Sequence, residues 1–223
     1  MNRASSIRAC YLSPAMLRPI DLLGRVFDRC AALGFDTVVL PHLFVADADW
    51  HQARLCDPQR LAPVLAWSGS AEEGLARISA LARARGLEPI MDVRLDQLDA
   101  QAPAAGSQPE CFRPLRASDG PLPDPRRGAD AASAAVSRFR SQPQALERWW
   151  QRQLQQWSEA GLAGFRCLWP QQVPPASWST IMAGVREQRP AVFWVWTPGT
   201  ELTQLRGLAE CGFDAGFASL AWW

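Results

Sequence analysis

Short apolar runs alternate along the chain with segments whose apolar residues are spaced three and four apart. The first pattern is typical of buried strands and the second of helices that cover one face of a sheet. Six strands are predicted, at 7–12, 36–41, 87–93, 164–168, 192–196 and 213–219. Helices are predicted to start at Pro19 and Ser70 and to span 144–160, 176–188 and 201–211. Because the connections between strands are helix-sized, we expect parallel pairing with right-handed crossovers.

Local signals agree with these boundaries. Ser70 is followed three residues later by Glu73, which is the capping-box signature of a helix start. Gly34 and Gly86 come directly after the first two helices, where glycine commonly ends a helix. Between Arg94 and Pro143 the pattern gives way to Pro, Gly, Ser, Asp and Arg. We therefore predict one domain over 1–223, with a long irregular insertion over 94–143.

Two α/β folds fit this order of elements: a doubly wound open sheet and a (β/α) barrel. Neither GxGxxG nor GxxxxGK[ST] occurs after any strand, which disfavours the nucleotide-binding form of the open sheet. The length of 223 residues is just below the roughly 250 residues typical of an eight-stranded barrel. Periodicity alone leaves the two folds open.

Composition narrows the class of partner. The 23 basic residues are all Arg and face 22 acidic residues, for a net charge of +1, so a nucleic-acid partner is not expected. No apolar run approaches the roughly 20 residues that a membrane span needs, so no membrane partner is expected either. The first residues lack the pattern of a signal peptide, and the six cysteines form no CxxC pair. These features predict a cytoplasmic protein with reduced thiols.

Four segments carry a resemblance to a known family. Residues 31–42, 84–93, 159–166 and 185–193 read AALGFDTVVLPH, ARGLEPIMDV, EAGLAGFR and VREQRPAVF. In that order they resemble barrel motifs two to five of the α-amylase superfamily of retaining α-glucan enzymes, glycoside hydrolase family 13. Pro170, the Trp-bearing helix 178–185 and the segment 208–214 are most similar to the maltosyltransferases that extend α-1,4-glucans from maltose 1-phosphate. The resemblance implies a partial (β/α) TIM-type barrel with about six of the eight strands and a long excursion after strand three.

The carboxylates that this family's chemistry requires are missing from the matching positions. Retaining enzymes hold a nucleophile and an acid about 5–5.5 Å apart. Here Leu168 stands at the nucleophile position and Thr197 at the position of the acid. The third catalytic carboxylate of the family lies after strand seven, beyond Trp223. We therefore expect no glycosidic-bond chemistry from this chain.

Five other positions are candidates for a retained sugar site. Asp92 and Arg166 match the third-strand aspartate and the fourth-strand arginine of the family, and we expect them to form an ion pair because a buried guanidinium needs a partner. Trp169 and Trp196 follow strands four and five, where flat indoles could stack on sugar rings or fill space left by lost side chains. His42 resembles a position near the family's sugar site.

No metal and no cofactor are predicted. His42 and His51 bracket Asp47 and Asp49, but this spacing fits no standard zinc or calcium loop. A polar loop after strand two is the expected structure.

The leading functional interpretation is a maltosyltransferase-like barrel without catalysis. It is expected to bind α-glucan or maltooligosaccharide, or to support a catalytic domain in the rest of a longer polypeptide or in a partner. One alternative is an active enzyme with relocated carboxylates, for which Asp96, Asp99 and Glu201 are candidates. The other is a structural module that docks a partner through open barrel edges and the terminal residues Trp222 and Trp223.

Overall fold

Strands and helices alternate along the computed structural model, which describes residues 7–46, 53–114, 134–197 and 202–217. In chain order the strands are β1 (Ala9–Tyr11), β2 (Thr37–Leu40), β3 (Phe44–Ala46), β4 (Leu55–Leu61), β5 (Glu88–Arg94), β6 (Gln97–Asp99), β7 (Phe112–Pro114), β8 (Ala134–Ser137), β9 (Gly164–Leu168), β10 (Val192–Trp196) and β11 (Ala215–Phe217). The helices are α1 (Ile20–Ala32), α2 (Ala71–Arg83), α3 (Pro103–Ser107), α4 (Pro143–Glu159), α5 (Pro175–Gln188) and α6 (Leu202–Ala209). Within these ranges no helix is long and apolar enough to cross a membrane.

The main sheet is a curled, parallel half-barrel of six strands. Its order is β1-β2-β5-β9-β10-β11, so neighbouring strands follow one another along the chain, apart from the strands of a second sheet. Every pair in this sheet is parallel. The predicted partial (β/α) barrel is therefore confirmed, and the strands predicted at 164–168 and 192–196 have the predicted bounds.

The apolar faces of the helices pack on the outer face of this sheet. Phe165 of β9 and Phe193 of β10 are fully buried there, and so are Phe27 of α1, Ile78 of α2 and Trp178 of α5. Side chains of this size each contribute roughly 1.5–3 kcal/mol when they are removed from water. This packing fixes the positions of the strand ends, and with them the side chains at the carboxyl ends of the strands, which we call the top of the half-barrel.

Helix ends also follow their sequence signals. The Ser70 hydroxyl accepts a hydrogen bond from the Glu73 backbone N–H at 3.2 Å, and the Ser70 N–H donates to the Glu73 carboxylate at 3.0 Å. Gly86 follows α2 with a φ of +71°, a left-handed conformation that glycine adopts without steric cost. The predicted capping box is confirmed.

A second sheet was not predicted. It has the order β3-β4-β6-β8-β7 and is largely antiparallel. Strands β3 and β4 lie where a polar loop was expected, and β6, β7, β8 and α3 lie in the segment expected to be irregular. Most of these strands are three or four residues long, too short to show an alternating pattern.

Candidate functional site at the barrel mouth

The carboxyl ends of β5, β9 and β10 meet at one edge of the half-barrel. In parallel (β/α) barrels this edge carries the functional residues. Asp92 lies opposite Arg166 in the register of β5 and β9, and Trp169 and Trp196 follow or end the next two strands. We call these four residues and His42 the barrel mouth.

Asp92 and Arg166 form the predicted ion pair. The Arg166 Nε donates to one carboxylate oxygen of Asp92 at 2.6 Å, and a terminal guanidinium nitrogen donates to the other at 2.8 Å. The side chains are only 5% and 8% exposed, so the two charges compensate each other away from water. The Arg166 guanidinium carbon also lies 4.3 Å from the Tyr11 ring centroid and 5.5 Å from that of Phe217.

These aromatic contacts show how strongly the sheet curls. Tyr11 is in β1 and Phe217 is in β11, the two edge strands of the main sheet. Both rings nevertheless contact the guanidinium of Arg166 in β9, within the roughly 6 Å over which a cation and a ring attract each other. Arg166 therefore ties the two edges of the half-barrel to its centre.

Burial sets the protonation of the groups around this pair. It raises the pKa of the Asp92 carboxyl, and the hydrogen bonds and charge of Arg166 oppose that rise. Burial alone would lower the pKa of Arg166, but the hydrogen bonds and charges of Asp92 and Tyr11 together more than offset it, so the pKa is raised and the guanidinium stays charged. Burial, with the nearby Asp92 charge, raises the pKa of the Cys167 thiol well above its usual value. Cys167 is therefore a neutral thiol and a poor nucleophile.

His42 is buried beside this pair as a neutral imidazole. Its exposure is 3%, and desolvation lowers its pKa to about 4, with the Asp92 backbone opposing the shift. That backbone does not complete a hydrogen bond of acceptable geometry, since neither ring nitrogen has a partner among the described residues. The Phe44 ring lies 5.5 Å away, centroid to centroid. His42 is thus a buried polar group in an apolar setting at the top of the half-barrel.

Trp169 and Trp196 form an aromatic pair at the edge of the mouth. Their ring centroids are 5.7 Å apart with an interplanar angle of 75°, and both residues are half-buried. The Arg94 guanidinium carbon lies 4.2 Å from the Trp169 ring centroid. Arg94 is itself fixed by two hydrogen bonds to the Asp96 carboxylate, at 2.9 and 3.1 Å.

The backbone of Trp169 is left-handed, with φ +47° and ψ +48°. For a bulky residue this conformation is rare and costs roughly 1–2 kcal/mol. It turns the chain out of β9 into the short 3-10 turn Pro170–Gln172. The strain persists because the surrounding contacts hold the indole against Trp196 and Arg94.

The two residues at the positions of the family's catalytic carboxylates are buried in the main sheet. Leu168 is 6% exposed and lies opposite Arg94 in the sheet. Thr197 is also buried, and its hydroxyl donates to the Phe217 carbonyl at 3.2 Å. These two side chains hold the sheet together and supply no carboxylate.

The carboxylates proposed as relocated catalysts also have other partners where they are described. Asp96 is held by Arg94, and Asp99 accepts the Gln101 backbone N–H at 2.7 Å. Within the described ranges no group of three His, Cys, Asp or Glu side chains could hold a metal. Glu201, Asp47, Asp49, His51, Trp222 and Trp223 lie outside the described residues.

Sequence reasoning missed two residues of this site. Tyr11 is the only tyrosine in the chain. It stands at the end of the first strand, and this position could have identified it as a candidate residue of the barrel mouth. Arg94 follows the third strand directly, but its contacts with Trp169 and Asp96 depend on how the strand ends are placed in space. No spacing rule predicts them.

The fold and the mouth together define half of a (β/α) barrel with its site at the carboxyl ends of the strands. No family model matches the chain. One curated relative, the α-1,4-glucan:maltose-1-phosphate maltosyltransferase of Burkholderia pseudomallei, is 33% identical over 218 residues, which are 96% of this chain and 19% of the relative. The chain thus spans about a fifth of that relative's length.

Solved structures agree on the fold. An α-amylase from Geobacillus thermoleovorans has a TM-score of 0.71 at 13% identity, covering 94% of this chain and 48% of the enzyme. A maltogenic α-amylase from Thermotoga neapolitana has a TM-score of 0.68 at 15% identity, covering 95% of this chain and 48% of the enzyme. Together with the 33% identical maltosyltransferase, these structures confirm the predicted resemblance to the α-amylase superfamily and to its maltosyltransferases.

Proposed function

We propose that the barrel mouth binds α-glucan or maltooligosaccharide without breaking or forming glycosidic bonds. The observation that carries this proposal is the indole of Trp169, which is held on a left-handed backbone and pairs with Trp196 at the carboxyl ends of the strands. Residues held in rare backbone conformations cluster at functional sites, where the surrounding structure keeps them in place. Half-buried indoles offer the apolar surface and polar edge that suit the two sides of a sugar ring.

The neighbouring polar groups support the same proposal. Arg94 fixes the Trp169 ring from one side, so little freedom remains to be lost on binding. The name of the Burkholderia relative gives an α-1,4-glucan as the molecule that enzyme extends. We propose the same class of sugar for this chain, because the similarity to that relative extends over 96% of the chain.

The absence of catalysis rests on the substituted carboxylates. Leu168 and Thr197 cannot attack or protonate a glycosidic bond, and both are packed into the sheet. Arg166 is already occupied by Asp92 through two hydrogen bonds. Asp96, one of the relocated candidates, is paired with Arg94. Incubation with maltoheptaose, with and without inorganic phosphate, is expected to leave the sugar unchanged on chromatography.

Replacing Trp169 with Gly separates binding from stability. Glycine adopts a left-handed backbone without strain, so relief of the strain offsets part of the packing lost with the indole. We expect W169G to bind maltoheptaose roughly two- to tenfold more weakly, since an aromatic contact contributes about 0.5–1.5 kcal/mol, while its melting temperature stays close to that of the wild type. Isothermal titration calorimetry and circular dichroism measure the two effects.

The matched controls are W169F and W67F. Phenylalanine at 169 keeps an aromatic face, so most of the affinity should remain. Trp67 is half-buried like Trp169 but donates its indole N–H to the Ser70 carbonyl at the start of α2, so W67F should bind as the wild type does. Equal affinity of W169G and the wild type would refute the assignment of the sugar contact to Trp169.

A second candidate function is supported by the open edges of the half-barrel. In the described part of the main sheet, β1 and β11 each pair on one side only, which leaves backbone groups available to a partner strand. A docking module for a catalytic domain would use these edges. It predicts self-association or partner capture in analytical ultracentrifugation, together with no affinity for maltoheptaose.

We also propose a cytoplasmic location. None of the six cysteines forms a disulfide, as expected in a reducing compartment. Fractionation of cells that express the chain tests this directly.

A further inference from the structure

Two thiols meet between the edge strand β1 and the helix that follows it. Cys10 is the central residue of β1, and Cys30 lies in the last turn of α1. Both are free cysteines, and a side-chain hydrogen bond links the two thiols. Neither residue belongs to the barrel mouth.

The alternation of side chains along β1 explains this contact. Tyr11 points to the inner face of the half-barrel, where the centroid of its ring lies 4.3 Å from the Arg166 guanidinium carbon. Successive side chains of a strand point to opposite faces, so Cys10 points outward to the layer of helices. There it packs against the large hydrophobic core that contains Cys30. The strand thus presents one residue to the barrel mouth and the preceding residue to α1.

Backbone hydrogen bonds hold the two thiols in this arrangement. At the end of α1 the Phe35 N–H donates to the Cys30 carbonyl at 3.2 Å. The next residue, Asp36, donates its N–H to the Arg8 carbonyl, just before β1, at 2.9 Å. The chain that separates Cys10 from Cys30 is therefore already folded back on itself before any covalent bond forms between them.

The two thiols differ in their access to solvent. Cys30 is 3% exposed, whereas Cys10 is half-buried. Burial, together with the hydrogen bond and charge of Cys10, raises the pKa of Cys30 to about 11, so Cys30 is a protonated thiol at neutral pH. Oxidation starts at thiols that solvent reaches and is completed by a neighbouring resolving cysteine. Cys10 has the first of these positions and Cys30 has the second.

We propose that Cys10 and Cys30 form a reversible disulfide when the protein meets a peroxide. The Cys10 sulfur attacks hydrogen peroxide, breaks the O–O bond and becomes a sulfenic acid, and the other oxygen leaves as water. The Cys30 sulfur then attacks the Cys10 sulfur, and the S–OH group leaves as water with the Cys30 proton. The two thiols lose two electrons in total, and one peroxide is reduced to two water molecules. Exchange with a dithiol restores both thiols.

The disulfide joins an edge of the half-barrel to the helix behind it. In the described part of the main sheet, β1 pairs with β2 alone. A covalent bond between residues 10 and 30 restricts the unfolded chain, which favours the folded state. Oxidation is therefore expected to fix β1, and with it the Tyr11 ring beside Arg166. This site does not depend on glucan binding at the barrel mouth.

The test combines mass spectrometry with a melting curve of the whole chain. The reduced protein is treated with hydrogen peroxide, the remaining thiols are blocked with iodoacetamide under denaturing conditions, and the protein is digested with trypsin. Trypsin cleaves after Arg25 and Arg29, between the two cysteines, so the disulfide is detected as two joined peptides. The melting temperature is expected to rise by several degrees and to return to its starting value with dithiothreitol.

The variants C10S and C56S serve as a matched pair, because each removes one half-buried cysteine. C10S should abolish both the joined peptides and the rise in melting temperature, whereas C56S should keep both. C10S also measures the effect of methionine and tryptophan oxidation, since it meets the same peroxide. Separate peptides for Cys10 and Cys30 in the treated wild type, or a change in melting temperature equal to that of C10S, would overturn the proposal. Joined peptides in which Cys10 pairs with other cysteines as often as with Cys30 would also overturn it, because that result would mean unspecific oxidation.

Discussion

Replacing Asp92 with Asn is expected to lower the free energy of unfolding by about 3–5 kcal/mol, the usual effect of breaking a buried ion pair from one side. The Arg166 guanidinium would remain buried and charged while losing the opposing charge and one of its two hydrogen bonds, which now measure 2.6 and 2.8 Å, because an amide offers one acceptor oxygen in place of two. Tyr11 and Phe217 would still contact it, but aromatic faces compensate only a small part of a full charge. Urea denaturation followed by tryptophan fluorescence measures the loss.

A surface pair provides the matched control for this prediction. Arg85 and Asp28 also form a short ion pair, 2.6 Å between Nε and the carboxylate, but the Asp28 side chain is 61% exposed. Replacing Asp28 with Asn is expected to cost no more than about 1 kcal/mol. Similar effects of the two substitutions would contradict the account of Asp92 and Arg166 as a buried, mutually dependent pair.

If the Asp92 variant does not fold at all, the double variant D92L/R166M keeps the prediction testable. Apolar residues of similar size often replace a buried ion pair with no loss of stability. The double variant should therefore be more stable than D92N. A double variant that is less stable than D92N would show that the two side chains contribute mainly by shape.

Acidification is expected to destabilise the fold through His42, by up to about 3 kcal/mol. The pKa of His42 is about 4 in the folded protein, against an ordinary value of 6.5. Between pH 6.5 and about pH 4, His42 is protonated in the unfolded chain but stays neutral in the folded protein. The contribution to stability is therefore complete above about pH 6.5 and is lost as the pH falls toward about 4.

The variant His42→Leu isolates this effect, because leucine fills an apolar site without titrating. Its unfolding free energy should fall much less than that of the wild type when urea denaturation is repeated at descending pH. Carboxylates also titrate in acid, so the informative quantity is the difference between the two pH profiles. Parallel profiles would mean that His42 is not the buried neutral imidazole described above.

The main sheet was predictable because its strands are continuous apolar runs, separated by helices with clear start and end signals. The strand Gly164–Leu168 reads as one such run interrupted only by Arg166, and its bounds match the structure. The second sheet was not predictable, since its short strands carry polar residues and proline. β4, for example, includes Asp57, Pro58 and Arg60.

The candidate site also has a part that the sequence predicts and a part that it does not. The pairing of Asp92 with Arg166 followed from two motifs on neighbouring parallel strands and from the need of a buried charge for a partner. The contacts of Arg94 with Trp169 and Asp96 could not be predicted, because they depend on how the strand ends are placed in space. The left-handed backbone of Trp169 was equally hidden, since nothing in a tryptophan signals a positive φ.

The most direct test of glucan binding at the barrel mouth is the melting temperature of the chain at increasing concentrations of maltoheptaose. A ligand that binds only the folded state raises the stability in proportion to the logarithm of its concentration once the site is filled. The account predicts a steady rise with maltoheptaose and none with cellooligosaccharides, whose β-linked chain has a different shape. A melting temperature that is unchanged by maltoheptaose up to its solubility would contradict it.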